Sequence, residues 1–250
     1  MTDNNFLEGN SNVVHQFGGH GNTYNAAPMA TTPQPGTPET GPAFPDSRPR
    51  DALYGFADMV GYSRLPNAQL QARSQADLVS ILDLSMNEAG VHPGRVAAQD
   101  QGDARLLAFP AGTDVPKVLV VMSRVLNDEL AARNRDMAEH ARMRVRLAFS
   151  MGASAPGAAG LVGEAPIEVA RMANSELFRR VMRSAPQAQC GLLIDDYLYR
   201  QWVRQGFRAD ISPGDYARAR ISCPDKGFDE VAWMRLFGYS GRDVAALLAQ

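Results

Sequence analysis

The sequence predicts an α+β domain of the ferredoxin-like, split βαβ type, with added C-terminal strands and a disordered tail ahead of it. Three observations lead there. From residue 51 onward, segments of period two and of helical period follow one another in the order β-α-β-β-α-β, then α-β and further β. The first strand-like run, through Leu53, Tyr54 and Phe56, delivers a single acid, Asp58, to its end, and Gly61 turns the chain toward helix-forming sequence. Seven of the 16 prolines (28, 33, 35, 38, 42, 45 and 49) fall in the first fifty residues, which excludes a helix or a central strand there.

The elements follow in order. Pro66 and Asn67 open a helix that carries Leu70, Leu78, Ile81, Leu82 and Met86 at helical spacing and ends at Gly90. Arg95 to Ala98 and Arg105 to Phe109 read as two strands, and Asp100-Gln101-Gly102-Asp103 between them has the chemistry of a hairpin turn. Thr113 or Asp114 caps a second helix with Val118, Val121, Met122, Val125 and Leu126 on one face. Arg142 to Phe149 alternates charged and apolar residues and reads as a half-buried strand. Gly152 to Gly163 is rich in small residues and reads as a loop. Pro166 lies in the first turn of a helix that buries Val169, Ala173, Leu177 and Val181. Gly191 to Ile194 is a strand, followed by a short helix around Tyr197 to Trp202. Tyr216–Ser222 and Phe228–Met234 form a terminal hairpin through Pro224-Asp225-Lys226-Gly227, and the last ten residues read as an amphipathic helix. The resulting division is a tail at 1–27, a linker at 28–50, a domain at 51–238 and a C-terminal helix or tail at 239–250.

Bulk properties narrow the class. The formal charge of −2 over 250 residues gives no basic surface for nucleic acid. Cys190 and Cys223 lack a Cys-x-x-Cys spacing, so neither a disulfide framework nor a zinc site is expected. Neither a signal peptide nor a run of membrane-spanning length is present, so the expectation is a cytoplasmic protein without membrane contact. Trp202 and Trp233 read as packing residues, His92 and His140 as surface residues. Arg179, Arg180 and Arg183 read as the solvated flank of one helix.

The tail carries a motif of its own. Val13-Val14 precede Gln16-Phe17-Gly18, and Asn22 and Asn25 follow. Identical strands stacked in register would let Gln16, Asn22 and Asn25 form amide ladders while Val14 and Phe17 pack dry. The stretch resembles the short amyloid-signalling motifs of the RIP-homotypic type found in bacterial and fungal signalling proteins. That resemblance implies a partner protein carrying a matching motif and a place in bacterial conflict signalling; the alternative is an ordinary disordered tail.

Within the domain, four stretches carry a second resemblance. Phe56-Ala57-Asp58-Met59-Val60-Gly61-Tyr62-Ser63 comes first, then Gly102-Asp103-Ala104-Arg105-Leu106-Leu107-Ala108-Phe109. Gly163 to Arg171 puts an Arg on a helix after a Gly turn, and Asp225-Lys226-Gly227-Phe228 precedes Val231 and Trp233. In this order, on these elements, they resemble the class III nucleotidyl cyclase domain. The resemblance implies that Asp58 and Asp103, with the Met59 backbone, hold Mg²⁺ or Mn²⁺. It implies that Val60, Gly61, Tyr62 and Ser63 bind phosphates of a nucleoside triphosphate, and that Arg171 is the catalytic cation, reaching across a homodimer. Base recognition falls to Gln99, where active purine cyclases have Lys, and to a place near Gly160, where they have Asp. Ile167 stands where they have a ribose-positioning Asn, and Ile donates no hydrogen bond. Three readings follow: a pseudo-cyclase that binds a nucleotide with Mg²⁺, or nothing, and acts as sensor or scaffold; an active cyclase, with a pyrimidine among the bases it could take; or a pure interaction module on the same fold.

Overall fold

The computed structural model describes residues 50–157 and 160–250. The tail motif at Val14, Gln16, Phe17, Gly18, Asn22 and Asn25 and nearly all of the expected linker lie outside the described residues.

An eight-stranded sheet runs through the domain: β1 (Arg50–Met59), β2 (Ala97–Gln101), β3 (Ala104–Ala108), β4 (Val145–Gly157), β5 (Gly160–Val162), β6 (Cys190–Asp195), β7 (Ala217–Cys223) and β8 (Phe228–Leu236). The spatial order is β2-β3-β1-β4-β6-β8-β7, with β5 paired to β4. All pairings are antiparallel except β4 with β6, the parallel pair that a crossover connection creates. The helices are α1 (Ala68–Glu88), α2 (Val115–Lys117), α3 (Ser123–Asn134), α4 (Glu164–Ala173), α5 (Glu176–Ser184), α6 (Asp196–Leu198) and α7 (Gly241–Leu248). The element order is that of the expected split βαβ pattern with additions.

Helices cover both faces of the sheet. Leu53, Ala57 and Met59 of β1 pack with α1, α3 and the π-helical turn Val118–Met122 that joins α2 to α3. Tyr54 and Phe56 point the other way, into a second core with Val169 and Met172 of α4, Phe178 and Val181 of α5, and Val244 of α7. Side chains alternate along a strand, so Asp58 belongs to this second face. A strand buried on both faces reads as one apolar run, and residues 53–59 are buried without interruption.

Local chemistry sets the helix ends as expected in most places. The Asn67 side chain accepts the Leu70 N–H at the start of α1, and Asp114 accepts the Lys117 N–H at the start of α2. Three expectations change. The strand expected at Arg95 to Ala98 starts at Ala97, after a 3-10 turn at Pro93–Arg95, and runs through Asp100 to Gln101, which were expected in the turn. The small-residue stretch after Gly152 is not a loop: β4 continues to Gly157, and residues 155–157 pair with 160–162 as a hairpin arm. The helix expected to run from Pro166 past Val181 is two helices. Ser175 adopts an extended conformation, caps α5 by accepting the Phe178 N–H, and donates its hydroxyl to the Met172 carbonyl. A Ser side chain competing for backbone partners ends one helix and starts the next.

Candidate functional site

Asp58, next to the last residue of β1, lies beside β3 on one side and β4 on the other, in register with Ala104 and Arg146. Asp103 occupies the β2–β3 turn, where Gly102 takes φ 74° and the Asp103 carbonyl accepts the Met59 N–H. The two acids named from the sequence are therefore neighbours. Asp103 adds to the rise of the Asp58 carboxyl, which burial in the main pushes up to about 6.

The partner of Asp58 is Arg146, directly opposite on β4. Its guanidinium makes a short ion pair with the Asp58 carboxylate, and both residues are buried. Nε of Arg146 donates to the Ala173 carbonyl at the C-terminal end of α4. Arg144, two residues earlier, donates to the carbonyls of Met182 and Ala185 at the end of α5 and of Ala188 just beyond it. Cations at helix C-termini meet unsatisfied carbonyls and the negative end of the dipole. β4 begins only at Val145, and the arginine face of the expected strand is divided: Arg142 is exposed, whereas Arg144 and Arg146 lie against the carbonyl ends of α5 and α4, and Asp58 pairs with Arg146.

This geometry tests the expected metal site. A hard divalent ion takes carboxylate oxygens as its anionic ligands. Here the Asp58 carboxylate is in contact with a buried guanidinium that is itself fixed to α4. As folded, Oδ2 of Asp58 is taken by Arg146 and is open to a metal ion only if Arg146 is displaced.

The turn after Asp58 is arranged differently from a simple strand–helix junction. Gly61 takes φ 78°, a short 3-10 turn spans Tyr62–Arg64, and α1 starts only at Ala68. The Val60 N–H is donated to the Arg144 carbonyl, so of the loop named for phosphate only Gly61, Tyr62 and Ser63 keep a backbone N–H with no partner among the described residues. Arg64 folds back over Gly61: a Cβ there would lie 2.8 Å from its guanidinium.

The two base-recognition positions do meet. Gly160 of β5 takes φ 124°, and a Cβ there would stand 2.5 Å from Oε1 of Gln99 on the edge strand β2. Gln99 thus fills the space that a side chain at 160 would need. Gln99 borders a cleft of about 640 Å³, lined from β2 also by Gln101, from α4 and its C-cap by Ile167, Arg171 and Asn174, from α5 by Arg179, and from the β7–β8 turn by Lys226. Ile167, Arg171 and Asn174 sit one helical turn apart and form one stripe. Ile167 is 49% exposed there. The Arg171 guanidinium lies 5.7 Å from the centre of the Phe228 ring, and Nη2 of Arg179 donates to Oδ1 of Asn174 at 3.0 Å. The charge of Arg179 also reaches Asp58, which it helps to keep ionised.

Sequence reasoning named Asp58, Asp103, Gln99, Gly160 and Arg171. It placed Arg146 on an alternating strand and Arg179 on a solvated flank, and assigned neither to the site. The pairing of Arg146 with Asp58 depends on the β1–β4 register and the place of Arg179 on helix packing, and neither shows in the sequence.

No model of a known protein family matches the chain, and no curated protein matches its sequence. Solved structures do match. The adenylate/guanylate cyclase/hydrolase from Silicibacter pomeroyi superposes with a TM-score of 0.54 at 16% identity, covering 77% of this chain and 99% of that one. The adenylyl cyclase CyaB from P. aeruginosa gives 0.53 at 12% identity, over 77% of this chain and 96% of that one. The guanylyl cyclase Cya2 gives 0.50 at 10% identity, over 78% and 98%. The chain shares the fold of these adenylyl and guanylyl cyclases. Among the described residues, no helix is long and apolar enough to cross a membrane.

Proposed function

We propose that this chain is a cyclase-like signalling protein whose domain binds a nucleoside triphosphate without cyclising it, a pseudo-cyclase serving as sensor or scaffold. The observation that carries this reading is the state of the base and ribose positions in the 640 Å³ cleft. Gln99 closes the space at Gly160, and Ile167 presents an apolar side chain, while Arg171 and Lys226 keep the charge that phosphates require. Loss of a positioning group costs orders of magnitude in rate and much less in binding. Recruitment would fall to the amyloid-like motif at residues 14–25, through a partner with a matching motif, and the domain would pair as a homodimer.

The second reading is an active cyclase that forms a 3′,5′-cyclic nucleotide and pyrophosphate with Mg²⁺ or Mn²⁺ on Asp58 and Asp103. The closeness of the two acids favours it, and it requires Arg146 to leave Asp58. The full chain is incubated with Mg²⁺ or Mn²⁺ and each of ATP, GTP, CTP and UTP, and cyclic product is read by mass spectrometry. No product, with nucleotide binding intact, upholds the pseudo-cyclase. A product that Asp58→Asn and Asp103→Asn both abolish establishes the enzyme instead.

A further inference from the structure

The structure sorts the three arginines of α5 into different tasks. Arg180 donates to the carbonyls of Leu247 and Leu248 at the end of α7. Arg183 pairs with Glu176 on the solvent side. Arg179 alone turns into the cleft, where it joins Arg171 and Lys226.

This cluster is unusual for a chain of net charge −2. Three cations line one cleft, no lining residue is acidic, and none of the three makes an ion pair with a carboxylate among the described residues. Like charges held together repel one another, and an anion relieves that repulsion. Two of the three cations are also held by side-chain contacts, and Lys226 is exposed on its turn. Arg171 lies over the Phe228 ring, Lys226 sits in the turn just before Phe228, and Arg179 spends one N–H on Asn174 and keeps the rest of its fork. Gln99, Gln101 and Asn174 add neutral donors on the same wall. A preformed fork of guanidinium donors matches phosphate oxygens bidentately. Beyond the cleft, Asp58 is closed by its own cation, Arg146.

We infer that the cleft is a metal-independent polyphosphate site in which Arg179 is a phosphate ligand, side-chain cations supplying the countercharge that a divalent ion supplies elsewhere. The inference deepens the nucleotide-binding reading and rests on the same cleft, but it stands without any nucleobase.

The test is calorimetric titration of the full chain with sodium tripolyphosphate in EDTA. Wild type should bind and lose affinity with added salt. Arg179→Gln should weaken binding roughly tenfold or more, the worth of one charge-assisted contact. Arg183→Gln, off the cleft, should bind as wild type does. Melting curves confirm that both variants are folded. The inference is overturned if wild type fails to bind in EDTA, if binding appears only with Mg²⁺, or if Arg179→Gln binds unchanged. A nucleoside triphosphate that binds no better than tripolyphosphate leaves this site standing and sinks the nucleotide reading. A nucleotide that binds only with Mg²⁺ does the reverse.

Discussion

Removing the charge of Arg146 isolates a carboxylate inside the protein. Asp58 is 5% exposed, and its partner is 6% exposed. Breaking a buried pair from one side costs about 3–5 kcal/mol, because the remaining charge is neither solvated nor compensated. In a domain of about 200 residues each kcal/mol moves Tm by about 2–4 °C, so Arg146→Gln should melt roughly 10 °C lower at about pH 7.5. Acid should narrow that gap. The Asp58 carboxyl sits at about 6 in the folded chain, above its ordinary value, first because it is buried and despite the pull of Arg146. A carboxyl raised on folding stabilises the fold fully below its unfolded pKa, and that contribution disappears as pH rises through the folded value, here between about pH 4 and pH 6. Without Arg146 the carboxyl rises further, takes up a proton more readily, and ceases to be an isolated charge. The double variant Asp58→Asn/Arg146→Gln replaces the ion pair with two amides and should recover much of the lost stability. Calorimetric melts across pH read all three. A gap under about 3 °C at neutral pH, or one that does not close on acidification, would refute the reasoning, as would a double variant no better than the sum of its singles.

Gly160→Ala combines a φ of 124° with a Cβ placed 2.5 Å from Oε1 of Gln99. It should cost about 1–3 kcal/mol in a urea unfolding curve, and Gln99→Ala should restore only the part due to the clash. An unchanged midpoint would mean that β5 and Gln99 give way freely. Burial pushes the Cys190 thiol up to about 12, so Ellman's reagent near neutral pH should register Cys223 alone in the native protein and both thiols after unfolding. A second thiol reacting at the native rate would contradict the closed core around β6.

What was legible in the sequence was local. The apolar run into Asp58, the Gly61 turn, the Gly102–Asp103 hairpin and the Asn67 and Asp114 caps all depend on neighbours within a few residues, and the structure has them there. What was not legible depends on what lies across a face. Alternation from Arg142 to Phe149 separates two sets of side chains but does not tell what covers each. The reading was therefore a half-buried strand, whereas the ends of α5 and α4 hold Arg144 and Arg146 and leave Arg142 exposed. The arm from Gly152 to Val162 read as a loop because its pairing, residues 155–157 with 160–162, shows in register and not in composition. The break at Ser175 was hidden by a continuous apolar stripe on either side of it. Of the site, the acids, the glutamine and Arg171 came from motifs; Arg146 and Arg179 came only from the packing of one helix end on a strand and another helix on a cleft.

The last helix gives the cleft a handle. α7 is held by the Ser240 capping box, by Val244 sunk in the core, and by Arg180, which grips its final carbonyls. Arg180 is the residue next to Arg179, so the end of the chain and one wall of the cleft hang on adjacent positions of α5. A cut after Gly238, or a bulky fusion pressed against Leu248, would free Arg180 and let that stretch of helix shift its neighbour. The grip of the cleft on an anion thus becomes a property that can be tuned from the C-terminus, far along the sequence from β1 and its acid.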